Sequence, residues 1–447
     1  MIKPVALSIA GIDTGNGAGS ETDIKVYEIL GVHGVTAVTA ITAQSTQGVK
    51  SILPVPKDFL RKELDTLFDD FKIKNVKIGM IYNKDQFEVV REYLKGLTVI
   101  VDPVLFAKDG TPLINDIEDY KRLLLPMATV LTPNAIEASY LSGLRVSNLE
   151  DAKKAAKVIS EKFGVQYVIV KGGHIEGEFS TDVLYDSNND SYYTIGFKRV
   201  KNKNTHGTGS VFATVISAEL AKGSSILLAF RKAREILNDS IIHGLDIGKG
   251  IGPIDPVHSL IKKSEKFEVL EEMRRFAEEV EKLENMHMLI PEVQSNVANS
   301  INPYYVEGLE DVAVFRDRIT KNWDNKVKVG LPAVFGKPTH TARLLLAIQT
   351  YEKRAKSLMN IRYDKKIIKL LSDMGYECVE VNRELEPQSH IEGKSMQWLA
   401  SFVYENYGKI PNVIYDEGVK GKEAMIRIWT SNIDELIDVL KYLTSNL

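Results

Sequence analysis

The chain has 447 residues, 44% of them hydrophobic and 26% charged, and carries a net charge of −3. That is material for two or three globular cores, and the lack of positive charge argues against a nucleic-acid binder. A single cysteine, Cys378, excludes a disulfide framework and a thiolate metal cluster, and no apolar run reaches membrane-spanning length. The chain starts directly in a strand-like run without a basic-then-apolar leader, so a cytoplasmic enzyme or sensor is expected.

Val5 to Ala10 is a short apolar run of strand type, followed by the glycine-rich stretch Gly11 to Gly19 and a helical pattern from Glu21 to Leu30. Strand, glycine turn and helix open an α/β unit. The glycines match neither a Walker A loop nor a dinucleotide fingerprint, so a small-molecule pocket roofed by backbone, or a plain turn, is the expectation. The next strand, Val35 to Thr42, ends at Ala43-Gln44, and the Gln44 amide suits the edge of a heteroaromatic ring. Val76 to Ile81, Leu97 to Val101, Met127 to Leu131 and Tyr167 to Val170 read as further strands.

Each of these strands is followed by polar residues. Asp102 follows the second and can hold Mg²⁺ or accept a proton. Thr132-Pro133-Asn134 with Glu137 follows the third, an i, i+3 pair that serves either a metal–phosphate site or a helix cap. Lys171-Gly172-Gly173-His174 follows the fourth. Ligands of open α/β sheets sit beyond the carboxyl ends of strands, so the recurrence points to one active-site rim. Thr181 to Tyr185 and Tyr192 to Ile195 read as a hairpin that leads into Asn204 to Ser210.

That stretch, Asn204-Thr205-His206-Gly207-Thr208-Gly209-Ser210, precedes an apolar helix beginning at Val211. Two glycines one residue apart bring successive N–H groups close to a ligand, and the helix adds the positive end of its dipole. An anion site, for a phosphate in transfer, competes here with an ordinary turn capped by Ser210. A helix over Ser225 to Ile242 follows, and Gly248 to Pro256 closes the unit.

Glu265 to Asn285 is charged and helical in period, with Phe267, Leu270, Met273, Phe276, Val280 and Leu283 on one stripe, and reads as a connector helix. A second unit begins at Leu289. Val312 to Phe315, Lys326 to Leu331, Cys378 to Val381, Val413 to Tyr415 and Ala424 to Trp429 read as strands. Ala342 to Lys353, Lys365 to Met374, Ser395 to Tyr407 and Asn432 to Leu443 read as helices. Arg316 and Arg318 flank Asp317, and Thr339 or His340 opens a helix; arginine with a helix N-terminus suits a pyrophosphate.

Residues 1 to about 258 resemble the hydroxymethylpyrimidine and phosphomethylpyrimidine kinases of thiamine biosynthesis. The resemblance rests on Ala10-Gly11 to Gly19, Asp23-Ile24-Lys25, Thr42-Ala43-Gln44, Ile78-Gly79-Met80, Asp102-Pro103-Val104 and Ala107-Lys108. It continues through Thr132-Pro133-Asn134 with Glu137, Lys171 to His174, Asn204 to Gly209, and Gly250 to Pro253. Residues 289 to 447 resemble the archaeal-type thiamine-phosphate synthase domain through Pro291-Glu292-Val293, Ser295-Asn296, Asp311 to Ala313, Arg318-Ile319, Gly336 with His340, Asn360-Ile361, Tyr363-Asp364, Glu386-Pro387, Tyr415-Asp416 and Gly421 to Glu423.

The resemblance implies a ribokinase-like three-layer α/β/α domain over 1–258, a connector helix over 259–288 and a second, smaller α/β domain over 289–447. It implies a bifunctional enzyme that phosphorylates hydroxymethylpyrimidine and its monophosphate with ATP and Mg²⁺, then couples the pyrimidine pyrophosphate to thiazole phosphate. Gln44, Gly11 and Asp23 would bind the pyrimidine. Lys171 would neutralise ATP phosphates, and Asp102 and Glu137 would lie near Mg²⁺. Gly207, Thr208, Gly209 and Ser210 would form the anion hole. Arg318 would hold pyrophosphate and His340 would assist its departure. The implied partners are these small molecules and further copies of the chain, without nucleic acid or membrane.

The chain departs from the family pattern at four positions. Ser210 stands where the pyrimidine kinases usually carry cysteine, and a serine hydroxyl is no base near neutral pH. Asn16 and Gln294 replace glycines, and Asp317 stands where the synthase pattern has glycine before the arginine. Ser210 and Asp317 motivate an alternative, in which one or both domains bind or sense pyrimidine or thiamine phosphates with weakened catalysis. A kinase acting on a pyridoxal-type alcohol is a further alternative on the same fold.

Overall fold

The computed structural model describes residues 3–106, 112–387, 394–419 and 421–447. The chain divides into two compact units, Met1–Ser259 and Leu260–Leu447. Among the described residues no helix is long and apolar enough to cross a membrane.

The first unit is built on a nine-stranded sheet in the order β3-β2-β1-β4-β5-β6-β7-β8-β9. The strands are β1 (Val5–Asp13), β2 (His33–Ser45), β3 (Gly48–Pro54), β4 (Asn75–Ile78), β5 (Thr98–Val101), β6 (Val130–Leu131), β7 (Tyr167–Val170), β8 (Phe179–Asp186) and β9 (Ser191–Lys198). The centre from β2 to β7 is parallel, and β3, β8 and β9 add antiparallel edges. Side chains of a strand alternate between faces, and the apolar run of β5 serves both. Val99 and Val101 join the core under helices Lys57–Asp70, Lys84–Tyr93 and Leu149–Phe163, while Ile100 joins the core under helices Thr208–Ala221 and Ile226–Ile242. Val168 and Val170 of β7 part from Ile169 in the same way. Two cores on opposite faces make the unit three-layered.

Strand β3 is absent from the sequence reading, which ends β2 near Thr42. Its residues are mostly exposed or half-exposed, so no apolar periodicity announces it. Gln44 therefore lies within a β-hairpin, opposite Val49, rather than on a loop after a strand.

The second unit holds a seven-stranded sheet in the order β14-β11-β10-β15-β18-β17-β16, with β12 and β13 as a separate pair. These are β10 (Val297–Ser300), β11 (Val312–Phe315), β12 (Thr320–Lys321), β13 (Val327–Lys328), β14 (Ala333–Phe335), β15 (Ser357–Arg362), β16 (Cys378–Glu380), β17 (Val413–Asp416) and β18 (Met425–Thr430). Of the run Lys326 to Leu331 only β13 pairs, because Gly330 and the following proline break the ladder. Phe315 and Met359 face one core and Val314 and Leu358 the other.

Of the stretch read as a connector, 259–288, all but Ser259 is part of this unit. Val269, Met273, Phe276, Ala277 and Val280 of helix His258–Val280 are buried in the same core as Met359 and Ile426. The predicted stripe is rotated at its start: Phe267 is 68% exposed, and Val269 takes its place inside.

Candidate active sites

In the first unit the strand tips converge on a cavity of about 700 Å³. Its walls include Gly11 and Asp13 of β1, Gln44 of β2, Lys77 of β4, Asp102 after β5, Asn134 and Glu137 after β6, Lys171 after β7, and Thr205 to Ser210.

Helix Thr208–Ala221 begins one residue after Gly207, which adopts φ 89° and caps it without a side chain. A Cβ at Gly207 would lie 1.9 Å from the Gly17 carbonyl oxygen, so both φ and space require glycine there. Ser210 is thus not the cap. It sits in the first helical turn, buried, where the leading N–H groups have no intrahelical acceptor. The segment Gly250 to Ile254 braces this loop: His206 N donates to Gly252 O at 3.1 Å, Ile254 N to His206 O at 3.0 Å, and Gly252 N to Asn204 Oδ1 at 3.0 Å.

Lys171 and Asp102 face this helix start. Lys171 Nζ lies 2.8 Å from Asp102 Oδ1, and a Cβ at Gly209 would come within 2.8 Å of Asp102 Oδ2 and 3.5 Å of Lys171 Nζ. Burial alone would depress the Lys171 ammonium, but the carboxylates of Asp102, Glu137 and Asp182 overcome this and hold it above its ordinary value. Glu137 performs the cap that its spacing allows. The Asn134 side chain accepts from the Ile136 and Glu137 amides, and Glu137 Oε2 accepts from Asn134 N at 2.7 Å. It is also buried beside Asp102 and Lys171, and burial pushes its carboxyl up. The two readings of this pair are compatible, because one carboxylate oxygen caps the helix while the group lines the cavity.

At the other end, Asp13 organises the glycine-rich turn by accepting from the Gly15, Gly17 and Ala18 amides at 2.8, 3.2 and 3.0 Å. His206 Nε2 lies 2.7 Å from Asp13 Oδ2 and 3.1 Å from Gln44 Nε2. A carboxylate only accepts, so the proton resides on His206 Nε2, and the Gln44 amino group keeps its hydrogens for another acceptor. Burial alone would raise the Asp13 carboxyl; the His206 bond and the Gly15 and Gly17 amides hold it below its usual value.

Asp23 does not line this cavity. It is fully buried, and its oxygens accept from Ser8 Oγ at 2.5 Å, Thr214 Oγ1 at 2.6 Å and Lys77 Nζ at 2.7 Å. Every acceptor direction is taken, so Lys77 stands at the wall instead, with Asp23 as its counter-ion behind it. Ala107 and Lys108 lie outside the described residues. Sequence reasoning passed over Asp13, His206 and Lys77. His206 sits inside the loop singled out, but nothing local tells that it reaches across to β1 and β2.

In the second unit, Arg318 and His340 line one cavity of about 340 Å³, with Asn296, Thr339, Asn360 and Arg427 and the apolar Leu344, Leu358, Met396 and Met425. The Thr339 side chain caps helix His340–Gln349 by accepting from Ala342 N. A neighbouring cavity of about 410 Å³ shares Gln294, Arg316, Arg318 and Lys337 and adds Asp317, Thr320, Lys328 and Gly330. Several of the quoted sequence pieces are joined by hydrogen bonds. Glu423 accepts from the Glu292 and Val293 amides at 2.9 Å each, and Asn360 Oδ1 accepts from Asn296 N at 2.9 Å. Lys422 Nζ reaches Glu386 Oε2 at 2.8 Å.

Partial burial and then Arg343, Arg318, Arg427 and Arg383 hold the His340 imidazole below its ordinary value, so it is neutral at pH 7. Arg343, Arg383 and Arg427 were not foreseen; they converge from three separate elements. Asp317, adjacent to Arg318 in the chain, forms no ion pair with it among the described residues. Arg318 Nη1 donates to Val293 O instead. Two of the four family departures fall on left-handed backbone: Asn16 at φ 56° and Gln294 at φ 69°. Glycine is the unstrained residue there, and asparagine tolerates the region better than glutamine.

A family model for phosphomethylpyrimidine kinase matches residues 13–255, and one for thiamine-phosphate synthase ThiN matches residues 272–442. A hydroxymethylpyrimidine/phosphomethylpyrimidine kinase of Bacillus subtilis (strain 168) is 41% identical over 254 residues, covering 56% of this chain and 93% of that protein. The enzyme of the same description from Aquifex aeolicus is 36% identical over 256 residues, 56% of this chain and 99% of its own. Among solved structures, an ADP complex of Bacillus subtilis pyridoxal kinase matches with TM-score 0.53 at 32% identity, over 57% of this chain and 98% of that one. A Staphylococcus aureus pyridoxal kinase in complex with AMP-PCP and pyridoxal matches with the same score and identity, over 57% of this chain and 94% of its own. The chain belongs to the phosphomethylpyrimidine kinase family and carries a thiamine-phosphate synthase ThiN domain behind the kinase.

Proposed function

We propose that the first unit transfers a phosphoryl group from ATP to hydroxymethylpyrimidine and then to its monophosphate. The second unit then couples the pyrimidine pyrophosphate to thiazole phosphate, releasing pyrophosphate and giving thiamine phosphate. The observation that carries the kinase half is the Lys171–Asp102 pair set against Gly209 at the start of helix Thr208–Ala221. Phosphoryl transfer depends on positioning and on stabilising charge on the equatorial oxygens. A buried ammonium and a row of free helix amides supply that charge.

Gln44, with its amino hydrogens not taken by His206, suits the acceptor nitrogen of an aminopyrimidine held near Gly11. Ser210 aligns the anion hole rather than removing a proton. Asp102 Oδ2 faces the phosphate end, Lys171 and Thr132 among the described residues donating to Oδ1 instead, and Glu137 lies behind it. That donor set fits Mg²⁺, which binds one or two carboxylates and completes its shell with water and phosphate. The metal would neutralise charge on the β- and γ-phosphates, and Asp102 and Glu137 would hold it.

In the synthase half, Arg318 would hold the pyrophosphate by a bidentate fork, and neutral His340 would donate a hydrogen bond to the leaving oxygen. The apolar wall of Leu344, Leu358 and Met425 suits a planar ring. The kinase role belongs to 1–258 and the synthase role to 289–447, with 259–288 supporting the latter. A cytoplasmic location fits the composition, and assembly into a homo-oligomer is expected.

Purified full-length chain given hydroxymethylpyrimidine, thiazole phosphate and Mg-ATP is expected to make thiamine phosphate, with each half-reaction followed separately by chromatography. Absence of both half-reactions would sink the reading. The pyridoxal kinases among its structural neighbours favour pyridoxal as a second alcohol to assay; a kcat/KM above that for the pyrimidine reverses the substrate order.

A further inference from the structure

The wall of the first cavity carries a buried ion pair that the reading above leaves unused. Arg234, on helix Ile226–Ile242, lines the cavity beside Leu237 and Asn238 and is 5% exposed. Its Nη1 lies 3.5 Å from Asp182 Oδ2 on β8, its Nη2 donates to Ser180 O at 3.3 Å, and its guanidinium stands 5.6 Å from the Phe197 ring centroid. Among the described residues, Arg234 Nε and Asp182 Oδ2 both lack a hydrogen-bond partner. Two charges taken out of water are a net benefit only with close, fully bonded geometry, and this fork is open. Stability alone gives no account of it.

The other oxygen of Asp182 leads to the phosphate end. Asp182 Oδ1 accepts from the Gly172 amide at 2.8 Å, and a Cβ at Gly172 would lie 2.0 Å from Thr181 O, so the backbone there is pressed onto β8. Lys171 N donates to Pro133 O at 2.9 Å on the other side. These two anchors locate the Lys171 backbone, and its ammonium then meets Asp102 at 2.8 Å. The Asp182 carboxylate also supports the charge on Lys171. A single chain of contacts thus runs from Arg234 through Asp182 and Gly172 to Lys171.

We propose that Arg234 is a positioning residue for phosphoryl transfer, which through Asp182 and the Gly172 amide holds Lys171 in register with the anion hole. The proposal rests on the kinase reading of this unit. With Arg234 removed, Asp182 loses its counter-charge and turns toward Lys171, and the ammonium is drawn off the transferring phosphoryl group.

The test uses the full chain and steady-state phosphorylation of hydroxymethylpyrimidine. Arg234→Met is expected to lower kcat on the order of tenfold to a hundredfold while the pyrimidine KM stays within about twofold, with Arg234→Lys restoring part of the rate. In a Lys171→Gln background the same substitution is expected to cost less than about twofold, because coupled residues are non-additive. A full-sized loss in that background, or an unchanged kcat with only a lowered melting temperature, overturns the proposal. Should Arg234→Met not fold, Asp182→Asn carries the same comparison, since its amide oxygen still accepts from Gly172 while the counter-charge to Arg234 is lost. Absent turnover in the wild type counts against the kinase reading instead, and calorimetric ADP affinity then carries the same pairwise comparison.

Discussion

Lys171 Nζ and Asp102 Oδ1 lie 2.8 Å apart at the tips of β7 and β5, with side chains only 13% and 4% exposed. The pair joins two strands with β6 between them and faces the start of helix Thr208–Ala221. Replacing one partner leaves an uncompensated buried charge, which costs about 3–5 kcal/mol. Lys171→Met is expected to destabilise the first unit by that amount and to lower kinase kcat by at least about a hundredfold. The double variant Lys171→Met/Asp102→Asn is expected to recover most of the stability and none of the rate. Urea unfolding and ATP turnover on the same preparations separate the two effects.

Ser210 is buried in the first turn of that helix and lines the cavity. A thiol there gains from the helix dipole, which favours the thiolate. Ser210→Cys is expected to raise kinase kcat by about tenfold, below the full range of general-base catalysis because positioning already supplies part of the rate. The gain should grow with pH through the thiol titration. An unchanged rate across pH 6 to about 9 would show that proton removal is not limiting.

Gln294 and Asn16 make a matched pair, both at positive φ and both where the sequence resemblance implies glycine. Left-handed backbone costs a β-carbon residue about 1–2 kcal/mol, less for asparagine, against the entropy glycine adds to the unfolded chain. Gln294→Gly is therefore expected to stabilise the second unit by about 0.5–1 kcal/mol, and Asn16→Gly to be within about 0.5 kcal/mol of neutral. Denaturation midpoints of the two variants check the contrast; equal effects would be inconsistent with it.

His340 is held below the ordinary imidazole value of 6.5 by partial burial and by Arg343, Arg318, Arg427 and Arg383. A base with a depressed folded value contributes its full stability above pH 6.5, and that contribution is lost as pH falls through the folded value. NMR titration is expected to place the midpoint below 6.5 and Arg318→Gln to move it upward. A bound pyrophosphate offsets the arginines, so its affinity should rise as pH falls toward the His340 midpoint. Pyrophosphate affinity flat over that window, measured calorimetrically, is the contrary result.

The sequence by itself determined the alternation of strands and helices, because burial on both faces of a parallel sheet demands runs such as Thr98–Val101 and Tyr167–Val170. It also brought out loops that line the first cavity, because glycines and charges follow those runs directly: Asp102, Lys171 and Gly207 to Ser210 stand out without tertiary information. Strands β3, β12 and β14 stayed hidden, since a half-exposed strand has no apolar period to read; β10 and β15 were also not read, although buried, their apolar runs being interrupted by Asn299 and Asn360. The capping role of Glu137 was one of two open readings, and only the tertiary structure showed that the capping carboxylate also lines the cavity.

What only the tertiary structure decided is which polar residues face each cavity. Asp23 carries a family motif yet turns inward, because Ser8, Lys77 and Thr214 consume its oxygens. His206 bridges Asp13 and Gln44 across 193 and 162 positions, and Arg234 reaches Asp182 from a different helix. Such contacts depend on the register in which the sheet brings distant strands together. Local composition sets which residues can be charged or turned; packing sets which of them meet.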